Sequence, residues 1–156
     1  MLDNAAIKNI ILNQFEGLTF QEEDSPFLNV WIPPVQLKEF GRFLRDNREL
    51  NFDFLFCVTG VDWPKEATLE VVYHLRSVQH GHQMVFRCKT GSRDHPELDS
   101  LSEVWPTAHL HEREIYDLFG IKFKGHSNLK RLFLDENWEG HPLLKDYEDK
   151  VNLIVK

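Results

Sequence analysis

His109, His111, Glu112 and Glu114 stand within the six residues of "HLHERE". Imidazole and carboxylate are the side chains that ligate zinc and move protons, so this cluster is the first place to look for chemistry. A metal site on a helix requires ligands three or four residues apart, as in His-Glu-x-x-His. His109 and His111 are two apart and point about 200° away from each other around a helix. A second histidine pair lies nearer the end, where "FKGHSNLK" (Phe123 to Lys130) and "WEGHPLLK" (Trp138 to Lys145) repeat one phrase: aromatic, any residue, Gly, His, two more, Leu, Lys. His126 and His141 could share a metal only if the chain folded back on itself, and hydrogen-bonded structural histidines are the commoner outcome. A His/carboxylate metal enzyme is therefore the weaker reading.

Cys57 and Cys88 belong to no CxxC, so they supply neither a disulfide framework nor a cysteine-ligated cluster. A redox-sensing thiol needs exposure and a lowered pKa, whereas both cysteines fall in strands and Cys57 reads as buried and inert. No phosphate-cradling glycine loop, nucleophile elbow or Cys–His pair is visible.

The elements that must position these groups belong to a chain of 156 residues, enough for one globular domain with its own core. A net charge of −7 argues against a nucleic-acid backbone as partner. No apolar run approaches the roughly 18 residues of a membrane span, and the N-terminus lacks a basic region followed by an apolar stretch. The expectation is a soluble, cytoplasmic chain.

Ile7, Ile10, Ile11 and Phe15 recur at helical spacing behind Asp3 or Asn4 as cap. An acidic turn, "QEEDSP", precedes a strand from Phe27 to Ile32. Pro33 and Pro34 end it and open a second helix whose apolar face is Leu37, Phe40, Phe43 and Leu44. Phe52, Phe54, Phe56 and Val58 alternate in a third segment, with Leu55 and Cys57 also apolar opposite, which predicts a central strand covered on both sides. Two more strands follow, around Leu69 to Leu75 and Met84 to Cys88, and their order favours an antiparallel meander. "HPELDSLSEVWP" predicts a short helix stopped at Pro106. "AHLHEREIYDLFG" predicts a longer one stopped at Gly120, with Arg113 and Asp117 as an i,i+4 ion pair. Glu114 lies at the edge of its apolar stripe and calls for a cationic partner. Helices on one side of such a sheet make a two-layer α+β domain.

After Gly120 no periodicity persists, yet Phe123, Leu129, Leu132, Phe133, Trp138, Leu143 and Tyr147 make this stretch too apolar for a solvated tail. The expected division is an α+β domain over 1–120 and an extended C-terminal partner-binding segment over 121–156. Charge is segregated within that segment. Lys122, Lys124, Lys130 and Arg131 fall in its first part without an acid, and six acids with a single Lys run from Asp135 to Asp149.

"SEVWPTAHLHEREIYDLFGIKFKGHSNLKRLF" followed by "EGHPLLKDY" resembles the signature region of the 30 kDa subunit family, the C subunits, of the proton-pumping NADH:quinone oxidoreductase, respiratory complex I. The resemblance rests on Trp105, Pro106, Ala108, Glu112, Arg113, Glu114, Asp117, Phe119, Gly120, Ile121, Gly125, His126, Leu129, Arg131, Glu139 through Leu143, Lys145 and Asp146. It extends more weakly upstream through "VTGVDWP" and "VVYHLRS". Ser127 stands where Pro is usual and Leu144 where Arg is usual. Equivalent subunits of photosynthetic NDH complexes and of membrane-bound energy-converting hydrogenases share much of the pattern.

The resemblance implies a non-catalytic scaffold in the hydrophilic arm, peripheral on the cytoplasmic face of the membrane and bound to the quinone-site subunit (the D subunit) and neighbouring hydrophilic-arm subunits. It implies no cofactor in this chain, with iron–sulfur clusters, flavin and quinone held by partner subunits. The implied interface comprises Glu112, Arg113, Glu114, Asp117, Phe119 and Gly120 on the helix. After the helix it comprises Gly125, His126, Leu129, Lys130, Arg131, Trp138, Gly140, His141, Pro142, Lys145 and Asp146. Each Gly-His phrase would turn the backbone at its Gly, seat its His by hydrogen bonds and anchor an aromatic and a Leu on a partner.

Overall fold

The computed structural model describes residues 1–21 and 25–149. The acidic turn expected over "QEEDSP" therefore falls partly outside the described residues, as does the end of the C-terminal segment. Helix α1 (Asn4–Leu12) begins where the Asp3 carboxylate accepts the Ala6 amide at 2.8 Å, and it buries Ile7 and Ile11. Strands β1 (Thr19–Phe20) and β2 (Leu28–Trp31) follow. Pro33 and Pro34 then break the strand and open a short 3-10 turn into α2 (Leu37–Asp46), which buries Leu37, Phe40 and Leu44. Strands β3 (Phe54–Trp63), β4 (Thr68–Arg76) and β5 (Gln83–Lys89) form the antiparallel run that the alternation predicts.

The five-stranded sheet has the order β1-β2-β5-β4-β3, and all its pairs are antiparallel except β2 with β5. The α+β class is thus as the sequence implies, but β3 lies at the edge and not at the centre. Its apolarity on both faces has a different cause. The register shifts between Leu55 and Cys57, so Phe56 is an extra residue and the parity of the strand flips there. Leu55 and Val58 face the core, while Phe54 and Phe56 remain 44% and 42% exposed on the open face. Cys57 is half-buried, contrary to the sequence reading. Cys88 is the buried thiol, its pKa pushed up to about 12 by burial and the nearby Glu70 and Asp99 carboxylates.

Leu69, Val71, Tyr73 and Leu75 of β4 meet Met84 and Phe86 of β5 and Val30 of β2 beneath the helices. Phe40 packs edge-on to Phe15 and Phe86, and Tyr73 stacks on Phe86 at 4.5 Å. On the outer face Glu70, 1% exposed, accepts the indole N–H groups of Trp31 (2.7 Å) and Trp63 (3.1 Å).

The helix expected across "HPELDSLSEVWP" does not form. Glu97–Asp99 is instead a short strand, β6, paired in parallel with β7 (Lys122–Lys124) beyond the next helix. Leu98 and Leu101 are drawn into the core, and Trp105 follows them, donating its indole N–H to the Phe52 carbonyl at 2.8 Å. Tertiary pairing and burial outweigh local helix propensity here. Helix α3 (Ala108–Phe119) then runs beside β3, ending at Gly120 with φ +81°. A Cβ on Gly60 of β3 would lie 2.7 Å from the Phe119 ring, so that glycine sets how closely α3 approaches the sheet.

Candidate partner-docking site around the third helix

Asp117 organises the site. It faces inward on α3 with no exposed surface, and Oδ2 accepts the amides of Leu132, Phe133 and Leu134 at 2.9, 2.7 and 3.0 Å. Oδ1 accepts Nη1 of Arg131 at 2.8 Å. Burial pushes this carboxyl up. The Arg131 guanidinium and the three amides outweigh it and hold the group at about 2. The i,i+4 pair expected between Arg113 and Asp117 does not exist. A carboxylate turned toward the chain interior meets the cation that folds over it, Arg131, while Arg113 donates to the carbonyls of Lys130 (3.2 Å) and Arg131 (2.9 Å). Arg131 directs its other donors to the carbonyls of Trp138 (2.8 Å) and Gly140 (3.1 Å). One guanidinium, just after the first phrase of the repeat, therefore ties the end of α3 to the second.

The two Gly-His phrases dock at the two ends of that helix. Gly125 and Gly140 both adopt φ +81°, a left-handed turn that glycine makes at no steric cost. After the first turn, His126 Nε2 donates to the His109 carbonyl at 2.9 Å, and its Nδ1 accepts the Asn128 amide at 3.0 Å. This pattern fixes the neutral tautomer, and burial holds the His126 pKa below its ordinary value. After the second turn, His141 Nδ1 donates to the Asp117 carbonyl at 2.9 Å. The two accepting carbonyls are about 12 Å apart along the helix axis, at about 1.5 Å per residue. A Cβ at Gly120 would come within 2.7 Å of the His141 ring, so Gly120 both ends the helix and admits the histidine.

Farther along, the chain is pinned to the sheet. Asp62, 2% exposed at the end of β3, accepts Arg93 through Nε and Nη2, both at 2.8 Å, and the Lys145 amide at 2.8 Å. Arg93 also bonds both oxygens of Asp146, at 2.9 and 2.6 Å. Arg93 first, with the Lys145 amide adding to it, lowers the Asp62 pKa against the effect of burial. Leu129 and Leu144 pack against the core beneath these links, and Ile121 and Phe123 belong to it.

Arg113, Asp117, His126, Arg131, Trp138, Gly140 and His141, which the sequence singles out, thus converge on α3, whereas Lys145 and Asp146 bond Asp62 and Arg93. Two carboxylates of α3 make no ion pair among the described residues. Glu112 is fully buried and accepts the Ser100 hydroxyl at 2.6 Å and the Leu101 amide at 2.7 Å. Burial raises its pKa to about 7, with the two hydrogen bonds opposing. Glu114 is half-buried and has no ion pair among the described residues. Asp62, Arg93 and Ser100 escaped the sequence reading. Asp62 left one signal, an acid in an otherwise apolar strand, where a charge survives only if paired. No three His, Cys, Asp or Glu side chains among the described residues are grouped to hold a metal ion.

With this geometry in view, comparison with known proteins is specific. The C subunit of NADH-quinone oxidoreductase from Roseiflexus castenholzii is 45% identical over 120 residues, covering 76% of this chain and 68% of that protein. The C/D subunit of NADH-quinone oxidoreductase from Phocaeicola vulgatus is 43% identical over 121 residues, covering 78% of this chain and 23% of that longer protein. Among solved structures, a chain of the membrane-bound sulfane sulfur reductase, an archaeal respiratory membrane complex, superposes with a TM-score of 0.80 at 25% identity, covering 94% of this chain and 86% of that one. Residues 30–151 match the family described as respiratory-chain NADH dehydrogenase, 30 Kd subunit, and the chain belongs to that family.

Proposed function

We propose that this chain is a non-catalytic scaffold in the hydrophilic arm of a quinone oxidoreductase, holding the quinone-site subunit so that electrons reach quinone. In this reading the flavin, iron–sulfur clusters and quinone belong to partner subunits, and the chain is peripheral on the cytoplasmic face of the membrane. No helix of the described residues is long and apolar enough to cross a membrane. The observation that carries the reading is the C/D relative, in which a match to this chain occupies 23% of one continuous polypeptide. Two functions joined in one chain must work side by side. The segment after Gly120 suits this role, since its backbone is fixed by Asp117, Arg131 and Asp62 while Phe133, Trp138 and Leu143 stay exposed at 67%, 36% and 51%. Aromatic anchors on a rigid support make effective interface residues.

A second reading follows from the likeness to the sulfane sulfur reductase chain, that of an equivalent subunit in a related membrane complex with another electron donor. Affinity purification of the tagged chain from gently solubilised native membranes tests both. Recovery of the quinone-site subunit with iron–sulfur and membrane subunits is the expected result, and the remaining partners identify the complex. Recovery of the chain alone from an extract holding the intact complex overturns the proposal.

A further inference from the structure

The acidic half of the C-terminal segment closes on itself to form a groove of about 790 Å³, which Trp138 and Tyr147 line together with Asp135, Glu139, Asp146 and Glu148. Among the described residues no Lys or Arg lines it. Two cations that touch its lining residues are engaged there: Arg131 holds the Trp138 and Gly140 carbonyls, and Arg93 holds Asp146. Asp135, Glu139 and Glu148 have no ion pair among the described residues. Trp138 keeps 36% of its surface exposed, and a Cβ at Gly140 would touch the Tyr147 ring at 3.0 Å, so the glycine lets that ring lie against the backbone.

We propose that this groove receives an arginine-bearing segment of a partner chain. The argument is charge complementarity joined to shape. Three carboxylates without an ion pair among the described residues, Asp135, Glu139 and Glu148, stand beside two aromatic rings, and a guanidinium is the group that stacks flat on an indole while its N–H fork bonds carboxylate oxygens. A lysine ammonium would gain the charge but not the stacking or the paired hydrogen bonds. The inference rests on the proposed assembly role and specifies the chemistry by which this face contacts its neighbour.

Two measurements separate the groove from the wider role. In the first, the intact chain is titrated with the peptide acetyl-Gly-Arg-Gly-Arg-Gly-amide, and the indole N–H resonances are followed by NMR, with Trp138 assigned through Trp138→Phe. The Trp138 signal is expected to shift with the arginine peptide, to shift less with its lysine counterpart and to stay fixed with its citrulline counterpart. The double variant Glu139→Gln/Glu148→Gln removes the response. In the second, the same double variant and Trp138→Ala are each expected to lower recovery of partner subunits from membranes by about thirtyfold, the loss expected on removing one hot-spot contact. An unmoved Trp138 signal at millimolar arginine peptide, or variants that assemble as the wild type does, overturns the inference and leaves the assembly role standing. Failure of the wild-type chain to recover any partner overturns the assembly role, and the peptide titration still decides the groove.

Discussion

Glu112 and Asp117 lie five positions apart on α3, both without exposed surface, and their carboxyls are driven in opposite directions. Asp117 has a guanidinium and three amides to hold its charge, whereas Glu112 has one hydroxyl and one amide. Hydrogen bonding to the ionised form wins in the first case and desolvation in the second. The signs of their contributions to stability differ accordingly. Glu112, raised from 4.5 to about 7, contributes stability fully present below pH 4.5 and lost as pH rises toward 7, about 3 kcal/mol in all. Glu112→Gln keeps one acceptor for the Leu101 amide and one donor toward Ser100, so urea midpoints of this variant should lack the decline that wild type shows across that window. Asp117, lowered from 3.8 to about 2, contributes about 2 kcal/mol present above pH 3.8 and lost as pH falls through about 2. Asp117→Asn leaves Arg131, 12% exposed, as a nearly buried charge without its partner and is expected to cost about 3–5 kcal/mol. Hydrogen exchange should then accelerate first at the Leu132, Phe133 and Leu134 amides.

At the scale of elements, α3 is the beam to which the rest is fastened. One face meets β3 through Phe119 and Gly60, one carboxyl reaches into the turn after β6, and both ends hold a Gly-His phrase. Gly60→Ala drives a methyl into the Phe119 ring and should destabilise by about 1–3 kcal/mol, read from the thermal midpoint. Adding Phe119→Leu removes the ring and should restore part of the loss, a coupling that two independent sites would not show. The double glycine-histidine phrase also acquires a physical meaning here. Each copy solves the same local problem, a left-handed turn followed by a donor for a helix carbonyl, at opposite ends of one element.

Over residues 121–149, the chain after Gly120 lies along its own domain and presents its acidic, aromatic face outward. Ile121 and Phe123 are 0% and 3% exposed, so a truncation that spares the core falls after Lys124 and not after Gly120. That truncated chain should retain the sheet, as seen by far-ultraviolet circular dichroism, yet fail to co-purify with partner subunits. Charge reversal at Glu114, whose carboxylate has no ion pair among the described residues, should weaken assembly without lowering the thermal midpoint of the isolated chain.

The order of residues alone specifies α1, α2 and α3 and strands β2 to β5, because apolar spacing, prolines and Gly120 are local signals that neighbours in the chain enforce. It also determined the family, since the motif around Glu112 to Asp146 is a matter of residue order. Folding in three dimensions makes β3 an edge strand, pairs "HPELD" as β6, joins Asp117 to Arg131, and clamps Lys145 and Asp146 with Asp62 and Arg93. These are contacts between residues 14 to 83 positions apart. Their energy comes from desolvated partners meeting at one point in space, and no periodicity along the chain encodes where that point lies.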